Sequence, residues 1–265
     1  MPRVLPLSLL ASLLAGNAGA WTSPLMEALN RDARRLCPRS LAKLLREREP
    51  QVLEEVRRFP PSVGQAQAVD LQAGGLTPQT VAALDAEAAR VIELLKAQRV
   101  SEGLVRLGGL LRIPADLADP VLTAGAEGYP PGVVREYYAF VEGNVDKIPV
   151  VLEDPPALKM ARKDLPAYWQ ALLERSRAQS AVIRTELFQN GRLVDHRTID
   201  FRSPVFGVAS LSYSRAVTAI AATWLAVWRE ARGDLTRQPR PIEVAPRGAP
   251  PDGPPPPPPS TEGDE

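Results

Sequence analysis

Two carboxylates close to a proline are the residues of this chain whose types and spacing most clearly suggest chemistry. Residues 101–123 have the sequence SEGLVRLGGLLRIPADLADPVLT, in which Ser101 is predicted to cap a helix and Pro114 to kink or end it. Asp116 and Asp119 follow this predicted break. Carboxylates beside freed backbone groups can bind a cation, act as acid and base, or cap the following turn, and capping is the commonest of these roles.

The order of residues in this segment resembles the core motif of the zinc-dependent phospholipase C and single-strand-specific nuclease superfamily. That family carries His-x3-Asp-x5-His here, within a stretch like LLHYVADLHQPLHT. Asp116, Pro120 and Thr123 match the motif, whereas Arg112 and Leu122 stand in the two histidine positions. The resemblance implies a fold of the phospholipase C/nuclease type, with zinc as the family cofactor and phosphate esters as substrates.

Two further segments extend the resemblance over about 21–148. The sequence YYAFVEGNVDKI is similar to the family's His-x3-Glu helix, with Glu142 in the glutamate position and Tyr138 in the histidine position. The family also uses the amine and carbonyl of a signal-exposed tryptophan as a metal ligand, which Trp21 would match. Its next early histidine falls near Met26.

The scarcity of histidine argues against a working zinc cluster in this chain. A multinuclear zinc site needs several neutral imidazoles, and the chain contains one histidine, His196, far from the motif. A permanently charged Arg112 would repel a cation and can pair with Asp116 instead, while Leu122 and Tyr138 would fill space. The sequence therefore predicts no zinc cofactor and no catalytic residues.

One alternative keeps a metal at the same place. A single hard cation such as calcium or magnesium could be held by Asp116, Glu142 and the carbonyl of Trp21. In the favoured interpretation these carboxylates are instead kept ionised by Arg112 or by the Trp21 amine, and the former metal cavity becomes a packed or salt-bridged interior.

Other residues with chemical potential have simpler interpretations. His196 lies between Asp195 and Asp200 without a recognisable nucleophile motif, which favours a hydrogen-bonded structural histidine. The single cysteine, Cys37, cannot form an internal disulfide and is predicted to be a buried apolar residue.

The first helices are rich in arginine, but glutamates are interleaved with the arginines. This pattern favours a solvated mixed-charge face over a phosphate-binding face. The arginines concerned are Arg34, Arg35, Arg39, Arg46, Arg48, Arg57 and Arg58, and the glutamates are Glu47, Glu49, Glu54 and Glu55.

Residues 1–20 have the features of a signal peptide. Arg3 supplies a positive charge, 4–16 is mostly apolar, and Ala-Gly-Ala at 18–20 fits a cleavage site that would expose Trp21. We therefore expect a periplasmic or extracellular protein. The chain has 32 Lys and Arg against 31 Asp and Glu, so losing Arg3 leaves equal numbers and no global field that favours nucleic acid or anionic lipid.

Hydrophobic periodicity predicts one all-α domain at 21–238 and a disordered Pro-rich tail at 239–265. Ser-Pro at 23–24, Thr-Pro at 77–78 and Pro-Pro at 130–131 mark predicted helix starts, with Ser or Thr as the cap in the first two. Further helices are predicted at 133–148, 165–189 and 213–231. The largely apolar stretch 205–228 suits a buried core helix better than a membrane span.

The dipeptide Asn190-Gly191 has two interpretations. It can form the C-cap of the helix at 165–189, which is slightly favoured, or the turn of a hairpin between 182–188 and 193–201.

Together these observations predict an exported, catalytically inactive relative of the superfamily that acts as a binding or interaction module. Its remnant cleft could still bind a lipid head group or a nucleotide. One competing hypothesis is an active phosphodiesterase or phospholipase with a reduced or substituted metal site. Another is a structural envelope protein that docks through its Pro-rich tail.

Overall fold

Helices make up most of the computed structural model, which describes residues 21–58, 76–124 and 128–235. The all-α prediction is therefore confirmed for the described part of the chain, apart from one two-stranded hairpin. The predicted signal peptide at 1–20 and the predicted tail at 239–265 lie outside the described residues.

The α-helices of the described residues are, in chain order, α1 (Ser23–Arg35), α2 (Arg39–Glu47), α3 (Glu49–Arg58), α4 (Pro78–Lys96), α5 (Val100–Gly109), α6 (Arg112–Leu117), α7 (Val133–Asn144), α8 (Leu165–Arg177), α9 (Ser180–Leu187) and α10 (Pro204–Glu230). A hairpin of β1 (Phe188–Gln189) and β2 (Arg192–Leu193) follows α9. Short 3-10 helices lie at Val145–Lys147, Pro155–Lys159, Arg162–Asp164 and His196–Thr198.

The long helix α10 lies at the centre of the core. The hydroxyl of Ser203 accepts the N–H of Phe206 at 3.2 Å, which caps the helix start, and Pro204 occupies the first turn. Helix α10 contacts α1, α4, α6, α8 and α9. Its length and hydropathy alone would allow a membrane span, but 72% of its most apolar stretch is buried inside the protein, as expected for a core helix.

The helix break beside the predicted motif lies earlier than the sequence predicted. Residues 110–111 separate α5 from α6, and Pro114 lies in the first turn of α6. A proline is tolerated there because the first N–H groups of a helix have no intrahelical acceptor. Ser101 is not a cap, since α5 already begins at Val100.

Other helix boundaries also differ from the prediction. The predicted helix at 165–189 is divided into α8 and α9 by residues 178–179. Helix α1 begins at Ser23, so the capping position belongs to Thr22, whose side chain makes no capping hydrogen bond. The hydroxyl of Thr22 is used elsewhere, in a contact with α7.

Asn190 and Gly191 form the turn of the β1–β2 hairpin, so the favoured prediction of a helix C-cap is wrong. Their φ angles are 51° and 75°, which matches the left-handed pair of a type I′ turn. Phe188 pairs with Leu193 across the hairpin. The strands are two residues each, much shorter than in the alternative prediction, because α9 continues to Leu187.

Cys37 is buried and free, as the sequence predicted. Its thiol donates to the carbonyl oxygen of Ala33 at 3.5 Å. Burial raises the pKa of Cys37 to about 12, which keeps the thiol protonated and unreactive.

Candidate functional site

Seven residues carry the resemblance to the zinc-dependent superfamily, and we refer to them together as the remnant site: Trp21, Met26, Arg112, Asp116, Leu122, Tyr138 and Glu142. They lie at the start of α1, on α6, in the turn that follows α6, and on α7.

Arg112 and Asp116 form an ion pair on α6. Four residues separate them, so they lie on the same face of the helix, and Arg112 Nε is 2.7 Å from Asp116 Oδ2. The predicted pairing of these two residues is therefore present. The Asp116 side chain is 7% exposed and that of Arg112 is 29% exposed, so the carboxylate of the pair is buried and the guanidinium is partly exposed.

Burial, rather than the partner, dominates the electrostatics of Asp116. Removal from water raises the pKa of Asp116 above its ordinary value, and the charge and hydrogen bond of Arg112 act in the opposite direction without cancelling this effect. Its second oxygen, Oδ1, is buried without a hydrogen-bond partner among the described residues. That Arg112 or the Trp21 amine keeps this carboxylate ionised stays a prediction.

Asp119 caps the turn after α6 and also contacts α7. Its Oδ1 accepts the backbone N–H of Val121 at 2.9 Å and, more weakly, that of Leu122 at 3.4 Å. Its Oδ2 accepts the hydroxyl of Tyr138 at 2.6 Å. Of the three roles considered for these carboxylates, Asp119 has the capping role.

The Asp119–Tyr138 contact is enclosed by the protein. Asp119 is completely buried and Tyr138 is 7% exposed. Burial raises the pKa of Asp119 to about 7, although the hydrogen bonds from Tyr138 and Val121 lower it. The pKa of Tyr138 is raised well above its ordinary value, first by burial and then by the charge of Asp119.

Trp21 anchors the start of α1 against α6. Its indole Nε1 donates to the carbonyl oxygen of Ala115 at 2.7 Å, and its ring meets that of Tyr213 edge-on, with the centroids 6.4 Å apart. The side chain is 3% exposed. In this structure Trp21 contributes its indole to the packing of α6 and α10.

Glu142 does not join the buried carboxylates. It is exposed on α7, where its Oε2 accepts the hydroxyl of Thr22 at 2.8 Å. The expected partners of Glu142, Arg112 or the Trp21 amine, are replaced by this neutral contact. Because Asp116 is buried and Glu142 is exposed, the two carboxylates have different environments and separate partners.

A small cavity lies beside the remnant site. Its volume is about 50 Å³, and it is lined by Trp21, Ser23, Met26, Glu27, Leu53, Val56, Arg57 and Arg112. Typical small-molecule pockets have volumes of about 300–1,000 Å³. This cavity is therefore too small for a lipid head group or a nucleotide, the ligands that the sequence suggested.

The residues in the histidine positions do not fit a zinc cluster. Arg112 is paired, Tyr138 donates to Asp119, Leu122 packs against the core, and Met26 is buried. None of these four side chains presents the imidazole nitrogen that the family's zinc site requires.

A group of metal-ligand type lies elsewhere, at Glu136, Asp195 and His196. His196 Nδ1 is 2.6 Å from Glu136 Oε2, the same oxygen accepts the His196 backbone N–H at 3.2 Å, and Nδ1 is 3.6 Å from Asp195 Oδ1. Arg135 contacts the other Glu136 oxygen at 2.9 Å. The hydrogen bond from His196 is the main cause that lowers the pKa of Glu136 to about 2.

This cluster is a hydrogen-bonded structural contact between α7 and the segment after the hairpin. Both Glu136 oxygens already have donors, and 2.6 Å is a hydrogen-bond distance between His196 and Glu136. The predicted structural role of His196 is thus supported, but its main partner, Glu136, was missed. The two residues are 60 apart in sequence, so no local pattern connects them.

Comparison of the chain with models of protein families, with curated proteins and with solved structures gave no match.

Proposed function

We propose that this protein is an exported, non-hydrolytic relative of the zinc-dependent phospholipase C and nuclease superfamily that acts as a binding or interaction module. The observation that carries the proposal is the ion pair between Arg112 and Asp116, at 2.7 Å. By the sequence resemblance, Arg112, which is permanently charged and already paired, stands where hydrolysis in that family requires a neutral metal ligand.

The second support is the contact between Tyr138 and Asp119. Tyr138 donates its hydroxyl proton to the carboxylate of Asp119 at 2.6 Å, and its raised pKa keeps the buried phenol out of the phenolate form that binds metals strongly. The Arg112–Asp116 pair lies within α6, and the Tyr138–Asp119 contact joins α7 to the turn after α6. These residues therefore have a structural use that does not require catalysis.

Metal analysis and activity measurements test the non-hydrolytic proposal. The purified protein is dialysed against zinc, and bound metal is measured by plasma mass spectrometry alongside hydrolysis of bis-p-nitrophenyl phosphate and p-nitrophenylphosphorylcholine. We expect substoichiometric zinc and no hydrolysis above buffer. Stoichiometric zinc with phosphate-ester cleavage would instead support the active phosphodiesterase or phospholipase.

A histidine-restored variant tests the family relationship separately. It combines Met26→His, Arg112→His, Leu122→His and Tyr138→His. If the scaffold derives from the zinc enzymes, the folded variant is expected to bind more zinc than the parent. If the folded variant binds no additional zinc, the proposed relationship to the zinc enzymes loses its support. The activity measurement on the parent chain still decides separately whether that chain hydrolyses phosphate esters.

The proposed export is tested by expressing the chain in a Gram-negative host and fractionating the cells. N-terminal sequencing of periplasmic protein is expected to begin at Trp21. Recovery of cytoplasmic protein that still begins at Met1 would contradict export. Deletion of 239–265 is expected to leave the localisation of the protein unchanged. If the shortened protein were mislocalised, that result would favour the envelope protein that docks through its tail.

A further inference from the structure

The arginines of the first two helices do not all belong to a mixed-charge face. Six cationic residues and one alanine line a groove of about 490 Å³, which we call the basic groove: Arg31, Arg34, Arg35, Arg39, Ala42, Lys43 and Arg46. No acidic residue lines it among the described residues. Its volume lies within the range of about 300–1,000 Å³ that is typical of ligand pockets.

Helix geometry explains how these charges come together. On α1, residues 31, 34 and 35 are three and four positions apart, and on α2, residues 39, 42, 43 and 46 repeat the same spacing. Such residues share one face of a helix. Because α1 and α2 are consecutive and contact each other, the two basic faces meet across the groove.

The remaining arginines of the region lie on a different face, with the glutamates. Glu54 contacts Arg57 at 2.8 Å and Arg58 at 2.6 Å, and Arg48 is 3.8 Å from Glu47. The predicted mixed-charge face therefore exists, but it contains only some of the arginines that the sequence assigned to it. Arg57 and Arg58 do not line the basic groove, whereas Glu47 and Glu49 contact cations that do.

The charge of the basic groove is only partly neutralised. Arg34 has a close partner in Glu49 at 2.6 Å, whereas Arg31 and Arg35 are each 3.7 Å from Asp32. The weaker contacts are Lys43 to Glu47 at 3.8 Å and Arg31 to Asp146 at 3.9 Å. Arg39 and Arg46 are exposed and have no ion pair within the described parts of the chain.

Arg34 is the most enclosed cation of the basic groove. Its side chain is 9% exposed, the only one of the six basic residues that is buried. Nη2 is bonded to Glu49, but Nη1 is buried without a hydrogen-bond partner among the described residues. Glu49 therefore satisfies one side of this guanidinium, and Arg34 keeps its positive charge in the lining of the groove.

We propose that the basic groove binds a ligand that carries clustered phosphate groups. Five of its six cations are arginines, whose planar guanidinium groups bind phosphate oxygens in pairs and remain charged at every physiological pH. Six cations on two helices in a groove of about 490 Å³ suit a ligand with several phosphate groups better than a single inorganic phosphate. The shared chemistry fits either a soluble polyphosphate or the phosphorylated head groups of a lipid surface.

This inference does not depend on the proposed family relationship. The basic groove lies on α1 and α2, and none of its lining residues belongs to the remnant site. If the chain proved to hydrolyse phosphate esters, the case for phosphate binding in the groove would be unaffected. If the groove bound no phosphate, the case for an inactive hydrolase, which rests on the Arg112–Asp116 pair, would be unaffected.

Binding measurements with the full chain test the proposal. Isothermal titration with inorganic tripolyphosphate at low salt is one arm, and sedimentation with phosphatidylcholine vesicles that contain or lack phosphatidylglycerol is the other. Binding to tripolyphosphate alone indicates a soluble phosphate ligand, and additional binding to the phosphatidylglycerol vesicles indicates a lipid head group. Either result supports the shared chemistry, and affinity should fall as sodium chloride is raised.

A charge-matched pair of variants locates the site. Arg39→Gln with Arg46→Gln removes the two exposed, unpaired cations of the groove, and Arg90→Gln with Lys96→Gln removes two exposed cations of α4. We expect the groove variant to weaken binding at least about tenfold and the α4 variant to change it by less than about twofold. Absence of binding to both probes, or equal losses in the two variants, would overturn the proposal.

Discussion

Replacing Tyr138 with phenylalanine tests how the buried carboxyl of Asp119 is stabilised. The change removes one hydroxyl and leaves the ring in place, so Asp119 Oδ2 loses the donor that lies 2.6 Å away. Asp119 is completely buried, and water cannot easily replace this donor. Leaving a buried acceptor without its partner costs about 1–3 kcal/mol.

The free energy of unfolding that Tyr138→Phe removes should depend on pH. The pKa of Asp119 is about 7 in the folded protein, so the folded carboxyl still holds a proton over a range in which the unfolded one has lost it. Stability contributed by this group is therefore present at low pH and is lost as pH rises towards 7. Since the Tyr138 hydrogen bond lowers that pKa, its removal raises the pKa further and makes ionisation in the fold more costly.

The assay is urea unfolding followed by circular dichroism at pH 5 and pH 8. We expect Tyr138→Phe to lower the free energy of unfolding by about 1 kcal/mol at pH 5 and by about 2–3 kcal/mol at pH 8. Tyr129→Phe is the control, because its hydroxyl donates to the neutral carbonyl of Pro120 at 3.0 Å. An equal loss at the two pH values, or no loss for Tyr138→Phe, would refute the role given to this contact.

Three further substitutions test the contacts around the site. Arg112→Met should lower stability by about 2 kcal/mol at pH 8 and by less at pH 4, where Asp116 can take a proton; a larger loss at pH 4 would contradict this ion pair. Trp21→Phe should cost about 1 kcal/mol in thermal unfolding, because the indole donor to α6 is lost. Glu136→Gln should cost about 1 kcal/mol at pH 7, measured by urea unfolding, and His196→Ala in the same background should add little if the two act as one contact.

Local sequence patterns predicted the contacts and helix starts that depend on near neighbours. The pairing of Arg112 with Asp116 was predicted from their opposite charges, and in the structure both residues lie in α6, four positions apart. Proline positions indicated the starts of α1, α4 and α7 within a few residues, because proline suits the first turn of a helix. The turn at Asn190-Gly191 was recognisable as a hairpin signal, but the strength of the preceding helix obscured it.

The contacts that depend on packing between distant segments could not be predicted. Tyr138 and Asp119 are 19 residues apart, and Tyr138 was expected only to fill space. Glu136 carried no signal as the partner of His196, since an acidic residue in the first turn of a helix is common. Each contact exists only because α7 is placed against another segment by the core.

The arginine-rich helices α1 to α3 show most clearly the difference between what local sequence predicts and what packing decides. The amino-acid sequence by itself determined which residues are charged and, through helical spacing, which of them share a face of one helix. Only the tertiary structure decided that the basic faces of α1 and α2 meet in a groove, whereas the pairing of Arg57 and Arg58 with Glu54 already follows from their spacing within α3. The physical reason is that spacing along a helix is set by backbone hydrogen bonds, whereas the meeting of two faces depends on how the whole core packs.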